Sequence, residues 1–168
     1  MNGMIKVINY ALGSKSYFDD EIKANPDRRF VMAENLTTED NYILMDLSDQ
    51  PSIFGSSIKL ETTHYVGDDS FDGFFFLQAF DLAKETRAML KKVGPHVLDE
   101  TYDQFKDQMS GGYFATRMDH PQTLVMLTVW KTEDDLKKWL KSPIYAELKD
   151  YTNQQLRNFT EVFKTVEE

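Results

Sequence analysis

The segment Phe74–Phe80 reads Phe-Phe-Phe-Leu-Gln-Ala-Phe, and it limits the architecture more than any other stretch. As a strand it points Phe74, Phe76 and Gln78 one way and Phe75, Leu77 and Ala79 the other, because side chains alternate with period two. Neither face can stand in water, so a sheet built on it must be covered on both sides. Leu124–Trp130 is similarly apolar, and both runs are far too short to cross a bilayer as helices. From residue 73 onward the order of elements reads β-α-β-β-α-α-β. That order predicts an α+β unit: an antiparallel sheet with helices on one face. The other face needs a second layer, most simply another sheet. Residues 1–66 read β-α-β-β-(β), a similar order without a residue-level repeat. Gly67-Asp68-Asp69-Ser70-Phe71-Asp72-Gly73 is the polar junction between 1–66 and 73–168. Two solutions follow: residues 1–66 complete the barrel as an intramolecular pseudo-dimer, or two chains pair as a homodimer through the 73–168 sheet.

The element boundaries come from caps and periodicity. Met4–Tyr10 alternates as a strand, and Ser14 or Ser16 caps a helix that Asn25-Pro26-Asp27 ends. Arg29–Ala33, Asn41–Leu47 and Ile58–Val66 read as further strands. Leu82–Val93 is amphipathic, with Leu82, Thr86, Met89, Leu90 and Val93 on one face, and Gly94-Pro95 is read as its stop. Asp99–Gln108 reads as a polar connection into the strands Tyr113–Met118 and Thr123–Lys131. Thr132 caps the next helix, with Asp134 and Asp135 at its positive end and Leu136, Trp139 and Leu140 inside. Ser142-Pro143 starts another, carrying Ile144, Leu148, Tyr151 and Leu156. Asn158–Val166 closes the sheet.

Composition narrows the function classes. The 168 residues include no cysteine, which excludes disulfides, thiolate metal sites and a cysteine nucleophile and suits a reducing compartment. Met-Asn-Gly-Met-Ile-Lys has no basic stretch followed by an apolar core, so cytoplasmic is the expected location. A net charge of −9 with mixed signs argues against nucleic acid and against an anionic membrane surface. Aromatic residues make up 13% of the chain, more than a core alone needs, which suits a small apolar ligand. No phosphate loop, nucleophile elbow, flavin motif or zinc motif is present. His64, His96 and His120 are too scattered along the chain to imply a metal site.

Leu127-Thr128-Val129-Trp130-Lys131 followed by Trp139-Leu140-Lys141-Ser142 resembles the antibiotic-biosynthesis-monooxygenase (ABM) superfamily, and within it the Isd-type haem-degrading enzymes. The resemblance covers 73–168 and implies a ferredoxin-like dimeric α+β barrel. A lead of about seventy residues resembles the two-part haem monooxygenases and the TRAP-type signal proteins. What the resemblance implies for the site is specific. The tryptophan that presses on the porphyrin falls on Trp139, and the iron-ligating histidine position, ten residues on, is Lys149. The asparagine that bonds iron-bound oxygen falls on Ala79, with Gln78 beside it as the imperfect substitute and Phe76 on the same strand. An ammonium with a pKa near 10.4 is a poor iron ligand unless burial strips its proton. Met-Ala-Glu-Asn (32–35) imitates the family's first-strand motif but lies in the lead segment, so Asn35 reads as coincidence. The expectation is a diverged monooxygenase-like protein with Trp139 and Gln78 as catalytic candidates. Trp139, Lys149, Ala79 and Phe76 would line a cavity for haem or a small apolar ligand between helix 133–156 and its sheet. The rival reading is a non-catalytic binding or stress-signalling module.

Overall fold

The strand Phe74–Asp81 (β5) lies between two others, pairing antiparallel with Thr123–Trp130 (β7) on one side and Phe159–Thr165 (β8) on the other. A central strand with no exposed face is where a run of phenylalanines is stable. The computed structural model describes residues 5–152 and 159–166. Around β5 the chain closes an eight-stranded barrel in the order β1-β3-β2-β8-β5-β7-β6-β4, with β4 returning to β1. The remaining strands are β1 (Val7–Gly13), β2 (Phe30–Asn35), β3 (Tyr42–Asp46), β4 (Ile58–Gly67) and β6 (Met109–Arg117). The seams β2–β8 and β4–β6 join the two halves of the chain, the second with a register shift at Thr62/His64. Closure within one chain covers the face that required a second sheet. It also leaves no open edge.

Each half repeats one arrangement around the barrel: β4-β1-β3-β2, then β8-β5-β7-β6. Inside, Phe75, Leu77 and Ala79 pack with Ile8, Tyr10, Met45 and Phe163. Outside, Phe76 and Phe80 pack under α2 (Lys84–Phe105), α3 (Glu133–Leu140) and α4 (Pro143–Ala146). The first half carries α1 (Lys15–Ala24), capped by Ser14, one of the two serines expected for that role. It has no helix between β3 and β4.

Gly94-Pro95 does not stop α2, which runs 22 residues to Phe105 and absorbs most of the segment read as a polar connection. Its buried stripe continues through Leu90, Gly94, Val97, Leu98 and Thr101, and packing along that line outweighs the cost of an internal proline. Gly94 is required there: a Cβ would lie 2.6 Å from the Phe114 ring. Met89, expected inside, is exposed. Thr132 and Ser142 cap α3 and α4 with side-chain oxygens, and Pro143 opens α4. The helix expected from Ser142-Pro143 is instead a four-residue α4 followed by a 3-10 turn, Lys149–Tyr151. Leu156 and the start of the last predicted strand, Asn158, lie outside the described residues.

Candidate functional site

Trp139 is fully buried on the inner face of α3. Its indole Nε1 donates to Thr101 Oγ1 of α2 at 2.9 Å. Its ring lies 4.8 Å from Tyr145, 5.4 Å from Trp130 and 6.0 Å from Phe76, centre to centre. The Tyr145 and Phe76 rings meet it edge to face, the geometry aromatic quadrupoles favour. Phe105, from the unexpected end of α2, meets Trp130 edge-on.

Gln78 reaches the same layer. It is buried, and its Nε2 donates to the Tyr145 hydroxyl at 2.9 Å. Its Oε1 is buried without a partner, an exception to the rule that buried polar atoms are satisfied. Burial pushes the Tyr145 phenol up, and the Gln78 hydrogen bond offsets part of that shift. The hydroxyl therefore stays neutral, with a hydrogen still to donate.

Three of the sequence candidates thus converge: Phe76, Gln78 and Trp139. Two do not. Ala79 belongs to the barrel interior, on the opposite face of β5 from Trp139. Counting along the chain placed the asparagine equivalent on Ala79, yet a slip of one residue in a strand reverses the face, so Gln78 is the residue that meets the helices. Lys149 sits on the 3-10 turn and is exposed, while its neighbour Leu148 takes the buried position. Asn35 is structural: its Oδ1 accepts from the Thr37 and Thr38 amides and the Thr37 hydroxyl, holding the β2–β3 turn.

Two members of the cluster were missed from sequence. Thr101 was hidden by reading 99–108 as non-helical, although it lies four residues beyond Val97 on the buried stripe. Tyr145 follows the Ser142 cap and was passed over for Ile144. The histidines make local pairs: His64 with Asp99 at 2.7 Å, and His96 with Glu100. His96, Glu100 and Glu147 bring ligand atoms within 4.8 Å of one another, with His96 and Glu147 exposed. No single stretch of sequence shows that group, because Glu147 comes from α4.

Among the described residues no helix is long and apolar enough to cross a membrane. No protein-family model matches the chain, and no curated protein matches it by sequence. Solved structures do. A monooxygenase-like protein from Listeria innocua superposes with a TM-score of 0.81 at 13% identity, covering 98% of this chain and 95% of that one. The haem-degrading enzyme LmHde of Listeria monocytogenes gives 0.72 at 12% identity, over 95% and 99%. A major regulator of staphylococcal pathogenesis gives 0.78 at 13%, over 96% and 100%. At these identities the likeness shows a shared fold, and it extends over at least 95% of each chain. The chain carries the ferredoxin-like α+β fold of the ABM-superfamily monooxygenase-like proteins, with its eight strands closed into one barrel.

Proposed function

We propose that this is a diverged monooxygenase-like protein that holds a small, flat aromatic ligand against Trp139, between β5 and α3–α4. Gln78 carries the reading. A buried acceptor left without a hydrogen costs about 1–3 kcal/mol, and a ligand O–H or N–H placed at Oε1 removes that cost. Phe76, Trp139 and Tyr145 surround the amide with ring surface suited to an apolar body. The Tyr145 hydrogen and Gln78 Oε1 together form a donor and an acceptor side by side. Such a pair orients a hydroxylated ring edge and holds a proton at Tyr145 Oη. Oxygenation in such a layer needs no flavin: O2 takes four electrons from a hydroxylated ring, which becomes a quinone, one oxygen atom staying on the ring and the other leaving as water. The protein's part is to orient the ring and exclude bulk water. The cover over the cluster is short, four helical residues and a three-residue turn. Elements of that length have little stability of their own and are held by the packing of Ile144, Tyr145, Leu148 and Tyr151, which a ligand at Gln78 would have to displace.

Haem does not fit the described residues as an iron-ligated cofactor. Lys149 is exposed where the ligand would stand, and His96 is exposed and paired with Glu100. A second reading, a non-catalytic signalling module, draws on the full burial of Trp139 and on the likeness to the staphylococcal regulator.

The test is a titration of the purified protein with 1-naphthol and, separately, with haem. Tryptophan fluorescence and the Soret band are followed. Saturable quenching by naphthol without a stoichiometric Soret shift is the expected result. A one-to-one haem complex whose Soret band decays with ascorbate in air overturns the non-haem reading. Absence of quenching by any hydroxyarene favours the signalling module.

A further inference from the structure

The missing helix of the first half leaves a hollow. In the second half the β7–β8 connection places α3 and α4 on the outer face of the sheet. In the first half the β3–β4 connection is an irregular loop, 47–57. Between that loop and the strands lies a cleft of about 330 Å³ whose lining includes Val7, Asn9, Pro51, Lys59 and Met118. A second hollow of about 570 Å³ continues it, sharing Ser52, Lys59 and Met118.

Asn9 sits at the cleft floor. It lies on β1, between Asp46 of β3 and Lys59 of β4 in register. It stands five residues before the N-cap Ser14, as Gln78 stands five before the N-cap Ala83. The two amides occupy matching places on the central strand of each half. Asn9 is only 5% exposed, and its Oδ1 is buried without a partner, as Gln78 Oε1 is. Here, however, the residue lines an open cleft rather than a layer of rings, with Oδ1 itself shielded from water.

The surroundings define what would fill it. Asp46 is already engaged, by Arg28 at 2.7 Å and by the Ser48 amide and hydroxyl. Lys59 is exposed and makes no ion pair with a described residue. Asp49 stands exposed on the cleft wall, and Val7, Pro51 and Met118 add apolar surface. A simple anion is disfavoured by the chain's charge of −9. A zwitterion with an apolar tail matches these charged and apolar groups. Its carboxylate meets Lys59 beside Asn9, its ammonium faces Asp49, and its side chain lies on Val7, Pro51 and Met118.

We propose that this cleft is a second ligand site, specific for a free apolar α-amino acid and independent of the Trp139 layer. Thermal unfolding of the full chain is measured with L-leucine, L-methionine or L-phenylalanine, each beside its amide, which lacks the carboxylate, and its N-acetyl form, which lacks the ammonium. At a hundredfold excess over Kd the midpoint should rise by roughly 5–10 °C with at least one free amino acid. Both blocked forms should have no effect. Asn9→Leu and Lys59→Met should each abolish the rise, and Gln78→Met should preserve it, so this site and the Trp139 site succeed or fail separately. No shift with any of the three, or a full shift in Lys59→Met, overturns the proposal. Lys59 is exposed, so that variant decides the matter even if Asn9→Leu fails to fold.

Discussion

Gln78→Met isolates the most unusual feature of the molecule. Methionine matches glutamine in length and flexibility and carries no polar amide. Two effects oppose one another. The substitution removes the 2.9 Å bond from Nε2 to the Tyr145 hydroxyl, a neutral hydrogen bond worth about 0.5–1.5 kcal/mol net. It also removes the unpartnered Oε1, relieving about 1–3 kcal/mol of desolvation. Tyr145 retains 9% exposure, so its hydroxyl can turn toward water once the amide is gone. The sum is a neutral to stabilising change of up to roughly 2 kcal/mol, or several degrees in midpoint for a chain of this size. Urea unfolding should show a raised midpoint with an unchanged m-value, while naphthol quenching is lost. A destabilisation of more than about 2 kcal/mol would mean that Oε1 has a strong partner in the free protein, and the reasoning from an orphaned acceptor would fail.

Three other outcomes follow from the same packing. Trp139→Ala should cost about 3–5 kcal/mol, as for other fully buried aromatics, whereas Lys149→Ala should stay within about 0.5 kcal/mol and leave ligand binding intact; urea unfolding compares them. Gly94→Ala forces a methyl to within 2.6 Å of the Phe114 ring and should cost about 1–3 kcal/mol, read as a lower thermal midpoint. The hydrogen bond from Arg29 holds the Asp69 carboxyl below its ordinary range. Its stabilisation is therefore present above about pH 4 and is lost as the pH falls through the lower folded value. Because Arg29 is 44% exposed, the effect should stay below about 1 kcal/mol; Arg29→Met should flatten the acid limb of a stability–pH curve by that amount.

The fold was legible where a local pattern had a single physical solution. A strand with phenylalanine on both faces has to be central, and β5 is central. Ser14, Thr132 and Ser142 each placed a cap that the backbone uses. Legibility failed where a local rule met a long-range one. Gly94-Pro95 reads as a terminator in isolation, but helix α2 continues because Val97 and Leu98 have a sheet to pack on and Thr101 meets Trp139, and those partners are invisible in the local sequence. The same error hid Thr101, and with it the hydrogen bond that fixes the Trp139 indole.

The candidate site was half legible for a related reason. Counting residues carries a motif across only to the precision of the count, and on a strand one residue separates the barrel interior from the helix layer. That is the distance between Ala79 and Gln78. Alternation along β5 already placed Phe76 and Gln78 on one face and Ala79 on the other, so the face of a strand is a firmer guide than its alignment to a relative. The same reasoning gives Asn9 its importance. Nothing in its sequence neighbourhood marks it, and it stands out only once barrel closure sets β1 beside β3 and β4 as β5 lies beside β7 and β8. One buried amide then faces aromatic rings and its counterpart faces an open cleft. Two copies of one arrangement, one filled by short helices and one left hollow by a loop, give the two halves of the chain different surroundings for the same amide on one backbone plan.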